Sequence, residues 1–193
     1  MLDEQRIKEA TTNMKHYLAD KLIRKEPFKQ IVFDTYMNNH KESLSLAEHM
    51  HTNNLSKLWI VVVSYYSMFY IANAVIYKMG YKVGEKLAHK VTADALITWA
   101  RTKLKTSLLE DYEAAQEEAL ELADTKANMI VESFDQERKK RSFFQYETTE
   151  EIKAGKATTS FERAKQFSTE MHKLLEEGKK KKNENAQNGG SKN

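Results

Sequence analysis

Apolar positions recur along this chain at steps of three and four, and alternating patterns are almost absent. The sequence therefore predicts helix nearly throughout. A first amphipathic stretch covers about residues 3–23. Pro27 interrupts it, and shorter helices are expected at about 28–37 and 41–50, the second with Leu44, Leu46 and Ala47 as its apolar set. Asn53 and Asn54 read as a turn and cap. The next helix, about 56–79, stops at Gly80, and 80–84 reads as a loop. Helices at about 86–103 and 107–141 follow, then a looser segment around Gly155 and a last helix at about 158–177. No internal repeat is present.

Residues 58–77 contain no charge over twenty positions and are flanked by Lys57 and Lys78. Length alone makes this a candidate membrane span. Tyr65, Tyr66 and Tyr70 fall mid-span, where their hydroxyls would sit in hydrocarbon, and Ser64, Ser67 and Asn73 add polar cost. The amphipathic helices on either side also need an apolar partner. A helix apolar all round serves equally as the centre of a soluble bundle, and that is the expectation here, without a membrane.

Composition agrees. The chain has 193 residues, 40% hydrophobic and 31% charged, with one proline and six glycines, too few turn residues for a β-rich fold. It has no cysteine, which excludes disulfides, thiolate nucleophiles and cysteine zinc sites. The charged N-terminus lacks an apolar signal core, so a cytoplasmic protein is expected. The net charge of +3 is misleading. Residues 178–193 hold five lysines against Glu184, a net of +4, which leaves the body at −1. This low-complexity stretch reads as a solvated, disordered tail whose lysines can also touch phosphates.

The long helix carries a stripe of Tyr112, Gln116, Leu120, Ala123, Ala127, Ile130 and Phe134 that runs on into Arg138 and Arg141. Guanidinium groups near an inward face cost desolvation unless paired. Glu132, Asp135 and Glu137 are available as structural partners. A paired arginine fork also suits a phosphate.

The segment SYYSMFYIANAVIYKMGY (64–81) resembles the signature helix of small prokaryotic HEPN-domain proteins. His89 follows at the spacing where many archaeal-type members carry a histidine. ERKKRSFFQYE (137–147) resembles the family's late arginine-to-tyrosine motif, and SFERAKQFSTEMHKLL (160–175) its closing helix. The resemblance covers about 41–177, with 1–40 as a helical extension. It implies an all-α bundle of four to five helices, usually a homodimer. It implies action on RNA or a nucleotide in a defence or toxin–antitoxin setting, often beside a nucleotidyltransferase-type antitoxin. Many HEPN proteins are metal-independent ribonucleases, so no metal or other cofactor is expected.

The family's ribonuclease signature is an arginine, four to six residues, then a histidine. No arginine here is followed that way. The nearest pair, Arg163 and His172, has eight residues between. After Arg141 the position following four intervening residues is Tyr146, whose ordinary pKa of about 10 makes it a poor base near neutrality. The resemblance assigns phosphate contact to Arg138 and Arg141, and hydrogen bonding or base stacking to Tyr146. His89 is the candidate for proton transfer; its bland reading is a histidine at a helix start satisfied by backbone or a tyrosine. Catalytic candidates are thus His89, Arg141 and Tyr146. His49 and His51, at i and i+2, do not share a helical face and make a poor metal pair. The aromatics at 65–70 read mainly as core, with one tyrosine free to line a dimer cleft. Asn73 needs a polar partner. The alternative function is a non-enzymatic helical protein-interaction module.

Overall fold

The computed structural model of the chain describes residues 2–139 and 154–189, with side-chain surroundings for 2–124 and 155–177. Helix α1 (Glu4–Ala19) leads through strand β1 (Ile23–Lys25) to α2 (Gln30–Thr52) and the apolar helix α3 (Lys57–Lys78). Strand β2 (Tyr81–Val83) precedes α4 (Ala88–Ala95), a π-helical turn (Leu96–Ala100), α5 (Thr106–Lys139) and α6 (Ala154–Gly189). The architecture is an all-α bundle carrying a small two-stranded ribbon, the class its periodicity predicts.

Helix α3 is the axis of the bundle. Tyr65, Met68, Ile71, Ala72 and Tyr77 are each at most 1% exposed. Helices α2, α5 and α6 pack along it, and α4 and β2 pack against it as well. It is long and apolar enough to cross a membrane, yet 72% of its most apolar window is buried inside the fold. Its surroundings are therefore the apolar stripes of other helices. A smaller cluster of Met14, Tyr17, Ile23, Ile76, Val83 and Val91 ties α1 and the ribbon to α3 and α4.

Several expectations are corrected. The two helices expected at 28–37 and 41–50 are one helix, α2. The reason is the stripe Phe33, Met37, His40, Leu44, Ala47, in which a buried histidine takes an apolar step and keeps the 3.6-residue period unbroken. The seam expected at residue 40 falls inside this helix. The loop expected at 80–84 holds β2, paired antiparallel with β1 in the register Ile23↔Val83, Arg24↔Lys82, Lys25↔Tyr81. Three-residue strands are too short to show an alternating period. Gly80, at φ +96°, makes the left-handed turn out of α3 that a side chain would resist. The helix expected at 86–103 is α4 plus the π-helical turn. The last helix runs from Ala154 to Gly189 rather than 158–177.

A buried carboxylate fastens α1 to the bundle. Asp94, with no exposed surface, accepts hydrogen bonds from Arg6 Nη2 at 2.6 Å, Asn13 Nδ2 at 3.0 Å and the Tyr17 hydroxyl at 3.0 Å. Arg6 Nε also donates to Glu113 on α5 at 2.8 Å. Asp94→Ala leaves three donors without their acceptor. It is expected to lower stability by about 3 kcal/mol, the lower end for a broken buried pair because Arg6 retains some water contact. Urea unfolding measures this.

A second polar knot joins α2, α3 and α6. His40 is 1% exposed, and its Nδ1 donates to the Ser67 carbonyl at 3.1 Å, with Ser67 Oγ at 3.0 Å. Its ring meets His172 edge-on, centroids 5.5 Å apart. Burial lowers the pKa of both imidazoles, and Lys41 nearby acts in the same direction; for His172, Glu176 opposes the shift. The fold thus prefers neutral histidine. That stability is fully present above the ordinary histidine value of 6.5 and is lost as pH falls through the lowered folded-state value. The urea midpoint is expected to drop between pH 7.5 and pH 5, and His40→Gln to flatten part of that drop.

Candidate functional site around His89

The left-handed residue Leu87 (φ +53°) starts α4 and sets His89 on its first turn. There the imidazole meets the aromatic run of α3. Ring centroids lie 4.5 Å from Phe69, 5.5 Å from Tyr65 and 5.8 Å from Tyr66. Residues 65, 66, 69 and 70 fall within two helical turns, so α3 buries Tyr65 and leaves Tyr66, Phe69 and Tyr70 half-buried. The Tyr65 hydroxyl is hydrogen-bonded to His89 Nδ1 at 2.6 Å. Nε2 makes no hydrogen bond among the described residues.

Behind Tyr65 stands Tyr112 of α5, 1% exposed, with ring centroids 5.9 Å apart. The Tyr112 hydroxyl is buried and has no hydrogen-bond partner among the described residues. Burial pushes both phenols above their ordinary pKa, and burial pushes His89 below its own. At neutral pH the imidazole therefore carries a single proton. A phenol both donates and accepts, so Tyr65 can bond either tautomer of His89. With the proton on Nδ1, Nε2 is a base; with the proton on Nε2, that nitrogen is a hydrogen-bond donor.

The other sequence candidates fall elsewhere. Arg138 lies on α5, beyond the residues with described side chains, and Arg141 and Tyr146 lie outside the described residues. Arg163 and His172 are nine positions apart on α6, which is half a turn out of phase. Arg163 binds Asp111 and Glu118 of α5, whereas His172 faces His40. His51 stacks on Phe161 and bonds Thr158, while His49 lies beside Asn53. Asn73 donates to the Phe69 carbonyl and to Thr92 Oγ1.

The sequence offered His89 as a candidate, and its bland reading allowed either backbone or a tyrosine as the partner; in the fold the partner is Tyr65. Sequence reasoning missed Tyr112, which read as one more step in an apolar stripe. Comparison of the chain with family models, curated proteins and solved structures finds no match.

Tyr65→Phe is expected to cost about 1 kcal/mol, the net worth of one hydrogen bond. In NMR titration the His89 imidazolium is expected to lose its second ring proton below 6.5 in the unaltered protein. Its tautomer populations should shift in the variant.

Proposed function

We propose that this chain is a HEPN-like protein that binds RNA or a nucleotide at the surface around His89. The observation that supports this reading most is the 2.6 Å Tyr65–His89 bond inside an aromatic cluster, with Nε2 left free. The half-buried rings of Tyr66 and Tyr70 offer faces on which a base can stack. His89 Nε2 moves a proton at a ribose hydroxyl or leaving oxygen. For Nε2 to act as base, Nδ1–H donates to Tyr65, whose own hydrogen must then turn elsewhere. Tyr112, whose ring lies 5.9 Å from that of Tyr65, is its buried phenol neighbour. The resemblance adds Arg138 and Arg141 for phosphate contact and Tyr146 for hydrogen bonding or stacking. It also adds a homodimer and a defence or toxin–antitoxin setting.

A second reading, a helical interaction module, draws support from Leu55, just before α3, and Trp59 in its first turn, 47% and 49% exposed.

The test is incubation with a mixed RNA pool in EDTA, together with nucleotide titrations followed by tryptophan fluorescence. EDTA-resistant cleavage is expected to fall about a hundredfold or more in His89→Ala. It should fall as well in the Arg138→Ala/Arg141→Ala pair. A folded protein that neither cleaves RNA nor binds nucleotide favours the interaction module instead.

A further inference from the structure

Charge in this chain is sorted in space. Residues 21–29 and 78–86, the ribbon and its flanks, hold seven lysines and arginines against two carboxylates. Residues 101–105 add three cations and no acid. These three segments carry +8 in a chain whose total is +3, so everything else, the lysine-rich 178–193 included, sums to −5. Eight of the ten cations are exposed.

Direct contacts join the first two segments and reach to within two residues of the third. Strand pairing sets Arg24 opposite Lys82 and Lys25 opposite Tyr81. Tyr81 stacks on Trp99, centroids 4.4 Å apart, and Arg101 follows two residues later. The scaffold is pinned: Gly84 N–H donates to the Leu22 carbonyl at 2.7 Å, and Glu26 N–H to the Gly80 carbonyl at 3.0 Å. The Tyr77 hydroxyl accepts from Lys29 N–H and donates to the Pro27 carbonyl. Glu26 is occupied by Arg24 at 2.8 Å and Lys82 at 3.6 Å. Lys25, Arg101 and Lys103 form no ion pair among the described residues.

We propose that this ribbon face is a docking surface for the phosphodiester backbone of single-stranded RNA. Cations on a pinned backbone, of which Lys25, Arg101 and Lys103 form no ion pair among the described residues, beside partly exposed aromatic faces are what such a strand requires: charge for phosphates and rings for bases. The acidic remainder of the fold repels a polyanion and so steers it to this end. A membrane surface would be met by apolar side chains projecting past the cations. Here Tyr81 and Trp99 pack on each other and stay only partly exposed, and the large apolar side chains exposed beside the cations are two, Phe28 at 41% and Leu87 at 59%. The proposal rests on the RNA reading above, but not on the chemistry of His89.

The test is fluorescence anisotropy of a labelled single-stranded RNA of about 20 nucleotides, longer than the common footprint of one binding module, titrated with the full chain at several salt concentrations. Lys25→Gln/Arg101→Gln/Lys103→Gln is expected to bind about tenfold or more weakly, with a log–log salt slope shallower by about two. A charge-matched Lys8→Gln/Lys165→Gln/Lys173→Gln variant and a variant with Lys179, Lys180, Lys181 and Lys182 changed to Gln should each retain binding. The proposal is overturned by no binding of the unaltered chain, by equal losses in both triple variants, or by a loss confined to the 179–182 variant. Ribbon-dependent binding to phosphatidylserine vesicles in place of RNA also overturns it. Cleavage or nucleotide binding lost in His89→Ala but intact in the ribbon variant, with RNA affinity unchanged there, sinks the ribbon and leaves the His89 reading standing. Ribbon-dependent RNA binding without cleavage or nucleotide binding does the reverse.

Discussion

Helix α3 has almost no side to give to water, and the rest of the structure follows from that constraint. Its charge-free run must be covered on nearly every face, at a gain of about 1.5–3 kcal/mol for each large apolar side chain removed from solvent. One amphipathic helix covers roughly a third of such a cylinder, so three are needed, and α2, α5 and α6 fill that role. Its C-terminal end is closed by α4, the ribbon and, through them, α1. The N-terminal segment is thereby part of the same packing problem as the bundle it precedes.

Apolar burial is non-directional and does not fix how helices rotate against one another. The polar groups buried along α3 do. Ser67 meets His40 of α2, Asn73 meets Thr92 of α4, Tyr65 meets His89, and Tyr77 holds the chain at Pro27 and Lys29. Each such pair excludes a register in which the group would be left dry and unbonded, at a cost of about 1–3 kcal/mol. Against that background the buried hydroxyls of Ser64, Thr98 and Tyr112, without a hydrogen-bond partner among the described residues, stand out. Ser64 has no evident use. Tyr112 sits behind a phenol that already touches a surface imidazole, which is why its missing partner bears on chemistry.

The helices were legible because long stretches repeat a 3.6-residue period. The class of fold could be read from that repetition, and the central place of 58–77 from its charge-free run. What escaped the reading was either too short or too distant. A histidine on the apolar step of α2 looks polar in sequence, although in the fold it continues the stripe. Three-residue strands carry no period. Asp94 sits in the run VTADALI, where a lone acid among apolar residues signals a buried partner, but Arg6 is 88 positions away. The same distance problem hid the Tyr65–His89 bond, which spans two elements and 24 positions. Of the candidate site, the sequence offered His89 itself, with backbone or a tyrosine left open as its partner.

One connection relates the two surfaces. β2 ends at Val83, and His89 follows six residues later, so the ribbon and the imidazole are separated by at most about 21 Å of chain. The path is also constrained at both ends, by Gly84 bonded to Leu22 and by Val91 N–H bonded to the Leu87 carbonyl. A strand held by its phosphates on the ribbon therefore has His89 within the length of a few nucleotides. Positioning of this kind converts an encounter between strand and imidazole into a local event, which is where a weak general base gains most. The cations have no need to surround His89 itself. A positive surface at the reacting nitrogen would lower its proton affinity further, below what burial already imposes. Lys25, Arg101 and Lys103, the cations of the proposed docking face, lie outside the helix that carries His89.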